Sequence, residues 1–366
     1  MKLLLNILRI VVGVLFIFSG LVKANDPLGL AYKMDEFFEA LHLVFLSPYS
    51  LYLSVCLNVL EILCGVAMIF GYAMRFFSSL ILILITFFTF LTAYALFSGK
   101  IRECGCFGDC IPLSPQATFW KDVALEVMII IIFLYRKTIT SLLGRNGSIM
   151  VLLTTFLVSI GVQLYALQHL PYVDCLAYKI GNNIPEKMKL PPGATPDVYE
   201  TVLIYEKNGE RKEFTTDNFP WQDSTWKYVD RRDKLVKEGN AVPAIKDFSL
   251  KDFDGGDHTQ ELLAETKPVY LLMVQNVHEA GEDWEESIRN LQQQLRAGKI
   301  ELVGVTASAK PDVDTFTAHR GLLFPFLSMD ATAIKTAARN NPTLILLDKG
   351  TIRAKWAYRD FPSFKN

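Results

Sequence analysis

The chain has 366 residues, 37 basic against 38 acidic side chains, and 51% hydrophobic residues. The balanced, dispersed charge excludes the basic stripe that a nucleic-acid surface needs. The apolar excess is concentrated in the first half, which excludes a wholly soluble chain.

A helix needs about 20 apolar residues to cross the hydrocarbon core. Leu3–Val22 is such a run with only Arg9 in it, and Tyr49–Tyr72 carries only Glu61. Phe76–Gly99 and Gly147–Gln168 are uncharged, whereas Ala117–Tyr135 holds Lys121, Asp122 and Glu126. These runs predict five spans. No small-x-small cleavage site follows the first, so it is expected to be retained rather than removed as a signal peptide.

Lys2, Arg9, Arg75, Arg136, Lys137 and Arg145 fall on one side of that arrangement, without acidic residues in those loops. Asp26, Asp35, Glu36, Glu39, Glu103 and Asp109 fall on the other. Basic short loops stay in the cytoplasm. The expectation is a multi-pass protein of the cytoplasmic (inner) membrane, with a cytoplasmic N-terminus and everything after His169 on the periplasmic side.

Between the third and fourth runs lies Glu103-Cys104-Gly105-Cys106-Phe107-Gly108-Asp109-Cys110, which holds three of the six cysteines. Cys175 follows the fifth run on the same expected side. Outside the cytoplasm disulfides persist, and a C-x-C disulfide closes a strained, easily reduced ring. Four thiols allow three connectivities, and spacing does not choose among them. Structural disulfides, a working redox pair and a zinc site all remain open, although the spacing departs from the usual C-x2-C ligand pairs. Cys56 and Cys64, eight positions apart, are expected to share a helix face, with Cys56 as a relay towards a bilayer quinone or both as small packing residues. Glu61 is the principal intramembrane candidate, because a carboxylate at that depth must be protonated, paired or facing a cavity. Asp122 and Glu126 are one turn apart. Protonated Glu61 or Glu126 would deliver protons to a reduced quinone; an ion pair or hydrogen bond between helices is the structural alternative.

Beyond Leu170 the composition is that of a soluble region. Gly181–Thr195 reads as a linker, and Asn208-Gly209 between two short β-like runs signals a hairpin. Val269–Val274 and Ile300–Thr306 suit buried strands, Asp283–Arg296 and Pro311–Arg320 suit helices, and Thr343–Leu347 with Ile352–Trp356 suits a hairpin. That alternation predicts an α/β domain with a partly parallel sheet.

Pro243-Ala-Ile-Lys-Asp-Phe248-Ser-Leu250 and Asn341-Pro342-Thr343 resemble the thioredoxin-like fold of the TlpA and peroxiredoxin relatives. The resemblance implies a cis peptide bond before Pro342. The family's Cys-x-x-Cys would fall at Gln275–Gly281, where no cysteine occurs, so this domain alone has no thiol chemistry. His278 and Glu279 read as surface loop residues rather than replacement catalysts, and the groove is expected to bind something else.

Ser19-Gly20-Leu21-Val22-Lys23-Ala24-Asn25-Asp26-Pro27 and Leu60-Glu61-Ile62-Leu63-Cys64-Gly65 resemble DoxX-family membrane proteins. Cys104-Gly105-Cys106-Phe107-Gly108 resembles the MauE branch. The whole arrangement is similar to a DoxX-family group of Bacteroidetes-type bacteria. Such a resemblance links the chain to quinone-coupled oxidation, to assembly of methylamine dehydrogenase and to thiol redox balance. The architecture also resembles that of the quinone-linked disulfide formers DsbB and vitamin K epoxide reductase.

The expected fold is a membrane all-α helical bundle, four DoxX-like spans (1–136) plus a fifth (137–169). A linker with a β-hairpin (170–240) and a soluble α/β thioredoxin-like domain (241–366) follow. The expected function is thiol–disulfide exchange at the outer face through Cys104, Cys106, Cys110 and Cys175. Cys56, Glu61 and Glu126 would serve inside the membrane, quinone would be the cofactor, and the lipid bilayer and an extracytoplasmic protein would be the partners. The rival is a non-enzymatic, membrane-anchored assembly factor with structural disulfides.

Overall fold

The computed structural model describes residues 2–98, 101, 108–111, 113–195, 198–207, 209–221, 223–237, 239 and 243–364. Cys104 and Cys106 lie outside the described residues.

Helix α1 (Lys2–Asn25) runs the length of the bundle. Asp26 then accepts a hydrogen bond from the Gly29 N–H at 3.0 Å and Pro27 opens α2 (Pro27–Ala40), the pairing of cap and first-turn proline that starts helices well. A 3-10 segment, Val44–Tyr49, leads into α3 (Ser50–Phe70), which returns to the starting end and stops at Gly71, φ 68°. Helix α4 (Met74–Ser98) goes back, α5 (Pro115–Leu134) returns, and α6 (Arg145–Gln168) goes back again. The loop after α5 lies beside the end of α3, where the Leu142 N–H bonds Phe70 O at 2.9 Å. The start of α5 is tied by a disulfide to the segment after α6.

Four of these segments, α1, Val44–Phe70, α4 and α6, are long and apolar enough to cross a membrane. The 20-residue α5 also passes from one end of the bundle to the other, and its three charged residues are why it falls short on composition. Leu3, Ile83, Phe87, Phe90, Leu153 and Leu157 are exposed on the bundle surface, the pattern of a lipid-facing wall. The protein is therefore a multi-pass membrane protein in contact with the lipid bilayer.

Glycines let α1 and α3 meet closely. A Cβ on Gly13 would come within 2.7 Å of Gly65 O, one on Gly65 within 2.6 Å of Gly13 O, and one on Gly20 within 2.6 Å of Ile62 Cγ1. Small residues at such a crossing let membrane helices gain packing that lipid tails cannot supply. Asn58 adds polar adhesion between α3 and α6, donating to Gln163 at 3.0 Å.

After the bundle come α7 (Ile184–Lys187) and a three-stranded antiparallel sheet of β1 (Val198–Lys207), β2 (Glu210–Thr215) and β3 (Lys227–Lys237), in the order β2-β1-β3. Strand β3 extends the expected hairpin. The α/β domain consists of α8 (Thr259–Ala264), β4 (Val269–Val274), α9 (Glu285–Arg296), β5 (Glu301–Thr306), α10 (Lys310–Arg320), β6 (Phe326–Ser328), α11 (Ala331–Ala337), β7 (Thr343–Asp348) and β8 (Thr351–Ala357). Its sheet order is β6-β5-β4-β7-β8, with β4, β5 and β6 parallel and the terminal hairpin antiparallel. A parallel β-α-β unit joined to an antiparallel hairpin beside its first strand is the thioredoxin-like arrangement. The Asn341–Pro342 bond is cis.

Alternate residues of β4 face opposite cores. Val269, Leu271 and Met273 pack towards α8 and α11, and Leu272 and Val274 towards Trp284 and Ile288 at α9.

The expected linker at Gly181–Thr195 departs from the structure over its first part, up to Met188. Tyr178 and Ile184 are buried in the first core. The Ile184 N–H bonds Gly350 O at 2.8 Å and the Ile245 N–H bonds Lys187 O at 3.0 Å. The Pro-, Gly- and Asn-rich composition there serves a tight path across the β7–β8 turn rather than a tether. A fragment beginning at residue 176 should therefore be folded. One beginning at residue 190, which deletes Tyr178 and Ile184, should lose several kcal/mol, since truncating one buried Ile alone costs about 2–5 kcal/mol. Urea unfolding of the two fragments would measure the difference, and equal midpoints would refute the assignment of this segment to the core.

Candidate functional site

Among the described cysteines, Cys110 and Cys175 form a disulfide. This chooses one pairing where spacing left several open. It joins the segment before α5 to the segment after α6, so bundle and α/β domain are covalently stitched at the domain's entry.

Cys56 and Cys64 do not share a face: Cys56 is exposed on the bundle surface and Cys64 is buried. Eight helical residues overshoot two turns by about 80°, enough to separate a lipid-facing position from a packed one. Cys64 sits in the bundle core with Val12, Phe16 and Ile129.

Glu61 is buried and paired. Lys23, near the end of α1, donates to its Oε1, and the two side chains are 4% and 1% exposed. The Lys23 ammonium also lies 5.0 Å from the Phe88 ring centroid, within cation–π range. The other carboxylate oxygen, Glu61 Oε2, is buried and accepts no hydrogen bond from any described residue.

That pair forms part of the wall of a cavity of about 450 Å³ enclosed by α1, α2, α3, α4 and α5. Phe16, Phe37, Leu57, Phe88 and Leu91 are among its apolar walls, and Lys23, Glu61, Thr92, Lys121 and Asp122 supply polar groups. Leu53, Phe87 and Phe90 line it and are also exposed on the outer surface, so it opens towards lipid. Asp122 is buried, salt-bridged by Lys121 at 2.9 Å and hydrogen-bonded by Thr92 at 3.3 Å. Glu126, one turn on, is absent from the cavity wall and instead accepts a hydrogen bond from Thr86 at 2.8 Å.

A smaller cleft lies between Lys23 and the disulfide. Its lining includes Cys110, Cys175, Gly108 and Val173, and it shares Lys23, Leu30 and Lys33 with the large cavity. The disulfide and the apolar cavity are thus on two sides of one wall.

The α/β domain sits on this end of the bundle through the loop after β4 and the segment before Pro342. Gln275 accepts a hydrogen bond from the Tyr32 hydroxyl at 3.2 Å. Arg339 donates to Asp26 at 2.7 Å, with its guanidinium 5.4 Å from the Tyr32 ring centroid. Asn340 donates to Leu167 O at 3.1 Å and to His169 O at 3.2 Å. Asn25 exchanges two 2.9 Å hydrogen bonds with the Val173 backbone. Lys355 reaches Asp174, next to the disulfide, at 3.2 Å. Burial pushes the Lys355 ammonium down from its ordinary range, with Asp174 opposing, and pushes the Tyr32 phenol up, with Arg339 opposing.

The expected free groove is therefore covered at its Gln275 and Arg339–Asn340 end by the chain's own α2 and α6. His278 and Glu279 are exposed, and His278 lies 3.5 Å from Asp312. Sequence reasoning missed Lys23, Asp26, Tyr32, Arg339 and Lys355. The Asp26-Pro27 cap signature was the one signal that could have revealed α2; nothing in the spacing pairs Lys23 with Glu61 or Arg339 with Asp26.

Residues 1–136 match the family model described as methylamine utilisation protein MauE, and residues 199–238 match a domain of unknown function, DUF8463. No curated protein matches. Among solved structures, the chain is similar to a putative protein disulfide isomerase from Bacteroides thetaiotaomicron, 18% identical, over 33% of this chain and 80% of that one, with a TM-score of 0.27. The thioredoxin domain of a thiol-disulfide oxidoreductase from Bacteroides vulgatus is 18% identical over 30% and 81% of the two chains, with a TM-score of 0.24. A C47S mutant of PrxQ from Xylella fastidiosa is 16% identical over 33% and 84%, with a TM-score of 0.25. The membrane region is thus MauE-like, and the sheet order identifies the thioredoxin-like fold.

Breaking a buried ion pair from one side costs about 3–5 kcal/mol, because the other charge is left unpaired. Lys23→Met and Glu61→Leu should each lower the thermal unfolding temperature of the detergent-solubilised protein sharply. The double variant should recover most of the loss. Additive losses in the double variant would mean that the two side chains are not coupled.

Proposed function

We propose that this protein is a thiol–disulfide redox protein of the cytoplasmic membrane that exchanges electrons between an extracytoplasmic protein and a membrane quinone. The observation that carries this reading is the Cys110–Cys175 disulfide beside the wall of a lipid-accessible cavity. Cys104 and Cys106 are six and four positions from Cys110 in the sequence, and in this reading they take the first contact with a partner's thiols and exchange with Cys110.

The chemistry balances with the named groups. In one direction, a partner thiolate attacks an outer disulfide, the partner's second thiolate resolves the mixed disulfide, and the partner leaves oxidised. The outer dithiol so formed then reduces the Cys110–Cys175 disulfide by a second exchange and re-forms its own S–S bond. The Cys110 and Cys175 thiols then give two electrons and two protons to a quinone, re-forming their S–S bond and releasing hydroquinone. The partner's reduction potential against that of the quinone sets the direction. The α/β domain contributes no thiolate; it holds the segment carrying Cys175 against the bundle. The bias of basic residues to one set of loops supports a cytoplasmic N-terminus with the disulfide and domain on the periplasmic side.

A second reading has its own observation. The disulfide stitches two units that also share the Asn25–Val173, Arg339–Asp26 and Lys355–Asp174 contacts, as a structural bond in a membrane-anchored assembly factor would.

Three measurements test the topology and separate the two readings. Reporters active only outside the cytoplasm should work when fused after residue 110 or 200 and fail after residue 74 or 140; the reverse pattern would invert the topology. Reduced protein in nanodiscs should re-form the Cys110–Cys175 bond when ubiquinone-1 is added, at a rate that Cys56→Ala leaves unchanged. Single replacements of Cys104 or Cys106 should accumulate mixed disulfides with periplasmic proteins. A Cys110–Cys175 bond that ubiquinone-1 cannot regenerate, with no mixed disulfides, leaves the assembly-factor reading.

A further inference from the structure

We infer that the cavity between α1, α2, α3, α4 and α5 is the binding site for the quinone ring, with Glu61 Oε2 as hydrogen-bond acceptor for a ring hydroxyl and Lys23 as the positioning group between ring and disulfide. The inference rests on the redox reading above and adds the location, the ligand class and the residues.

The cavity's volume, about 450 Å³, lies in the range of sites that take small organic ligands. Its walls are apolar, which suits an isoprenoid-substituted ring arriving from the bilayer. Leu53, Phe87 and Phe90 give it a lipid-side mouth.

A lipid tail is the ordinary occupant of an apolar space in a membrane protein, and here the polar groups argue against it. Glu61 is 1% exposed, lines the cavity and keeps one oxygen without a hydrogen-bond donor. Covering that oxygen with a hydrocarbon chain would leave a buried polar atom unsatisfied, a cost of a few kcal/mol. A hydroquinone hydroxyl would satisfy it, and the oxidised ring's carbonyls would accept from ammonium protons. Lys23 is held near this point by Glu61 Oε1 and the Phe88 face.

Lys23 also explains why this cavity and this disulfide belong together. With Leu30 and Lys33, it lines both the cavity and the cleft that contains Cys110 and Cys175. These shared side chains lie between the dithiol and the ring on the path that the two electrons and two protons would take. When the Cys110–Cys175 bond forms, both S–H bonds break and the ring's two carbonyl oxygens become hydroxyls, so the exchange closes without another oxidant.

The test uses the full chain in nanodiscs and two probes, ubiquinone-1 and an azido-ubiquinone-1 photolabel. Leu57→Trp and Leu91→Trp fill the cavity from opposite sides, on α3 and α4. Leu153→Trp adds the same bulk to the exposed, lipid-facing side of α6. Ubiquinone-1 affinity in equilibrium dialysis should fall by roughly tenfold or more in either filled variant and stay unchanged in Leu153→Trp. The photolabel should map by mass spectrometry to peptides of α1, α3 and α4 that line the cavity, which tests the site in the unmutated protein even if a filled variant does not fold. Unchanged affinity in folded filled variants, labelling confined to the outer face of α6, or displacement of the probe by palmitate at equal concentration would overturn the assignment. The two readings fail separately. Probe bound in the cavity without Cys110–Cys175 re-formation sinks the redox function and leaves the site. Re-formation that the filled variants do not slow sinks the site and leaves the function.

Discussion

The buried Lys23–Glu61 pair is the constraint on which the membrane half depends. Neither charge could remain at that depth alone. Each therefore fixes the other, and with it the register of α1 against α3. The glycines at 13, 20 and 65 make the pairing geometrically possible by bringing the two helices close. Larger side chains there would hold the helices apart and leave the ammonium short of the carboxylate. The cavity follows from the same constraint. With α1 and α3 locked, α2 folds across one end while α4 and α5 close the sides, and the space they fail to fill keeps a polar wall. That wall has an energetic cost that packing alone would have removed, because an apolar replacement of a buried pair is often neutral or stabilising.

The α/β domain carries a thioredoxin-like fold without any cysteine. Its sheet, its cis peptide bond before Pro342 and its two cores are those of a thioredoxin-like domain. The loop after β4, with Gln275 and Asn276, carries no thiol. That end of the domain meets Tyr32, Asp26 and the carbonyls at the end of α6. The interface is polar and charge-assisted rather than a large apolar patch, which fits a contact made at the level of the lipid headgroups, where both units also meet water.

Sequence pattern made regular elements legible and long-range pairings invisible. Strands β4 and β5 stood out because they are short apolar runs buried on both faces, and Asn208-Gly209 marked its hairpin because few other dipeptides suit that turn. The spans were legible from length alone. The first part of the Gly181–Thr195 segment misled because its composition signals a flexible tether, while its actual role depends on Ile184 meeting Gly350, far along the chain. Strand β3 was missed because its sequence, dense in Lys, Arg and Asp, shows little apolar alternation. The shared-face reading of Cys56 and Cys64 failed on rotation: eight residues is near two turns but leaves an offset as wide as the boundary between core and lipid. Glu61 was recognisable as costly. Its partner was not, because Lys23 sits where the first span ends and reads as an ordinary interfacial lysine that snorkels to water.

The disulfide gives the two halves a common logic. A thioredoxin-like domain without thiols contributes nothing to exchange by itself, and a membrane bundle with a disulfide at its edge would leave that bond poorly aligned. Here Cys175 belongs to the segment that enters the domain's core through Tyr178 and Ile184, and Cys110 closes a short 3-10 turn, Gly108–Cys110, ahead of α5. The sulfur atoms thus come from two different parts of the fold, one ahead of α5 and one at the entry to the α/β domain. Asn25, Asp26 and Arg339 clamp those parts around them. Opening the bond would remove the covalent stitch but leave the clamp, so the two thiols would stay neighbours at high effective concentration. The same contacts suit a structural bond as a fixed scaffold and a bond that opens and closes as a guide for re-closure, because reduced sulfurs must find each other again before another thiol intervenes.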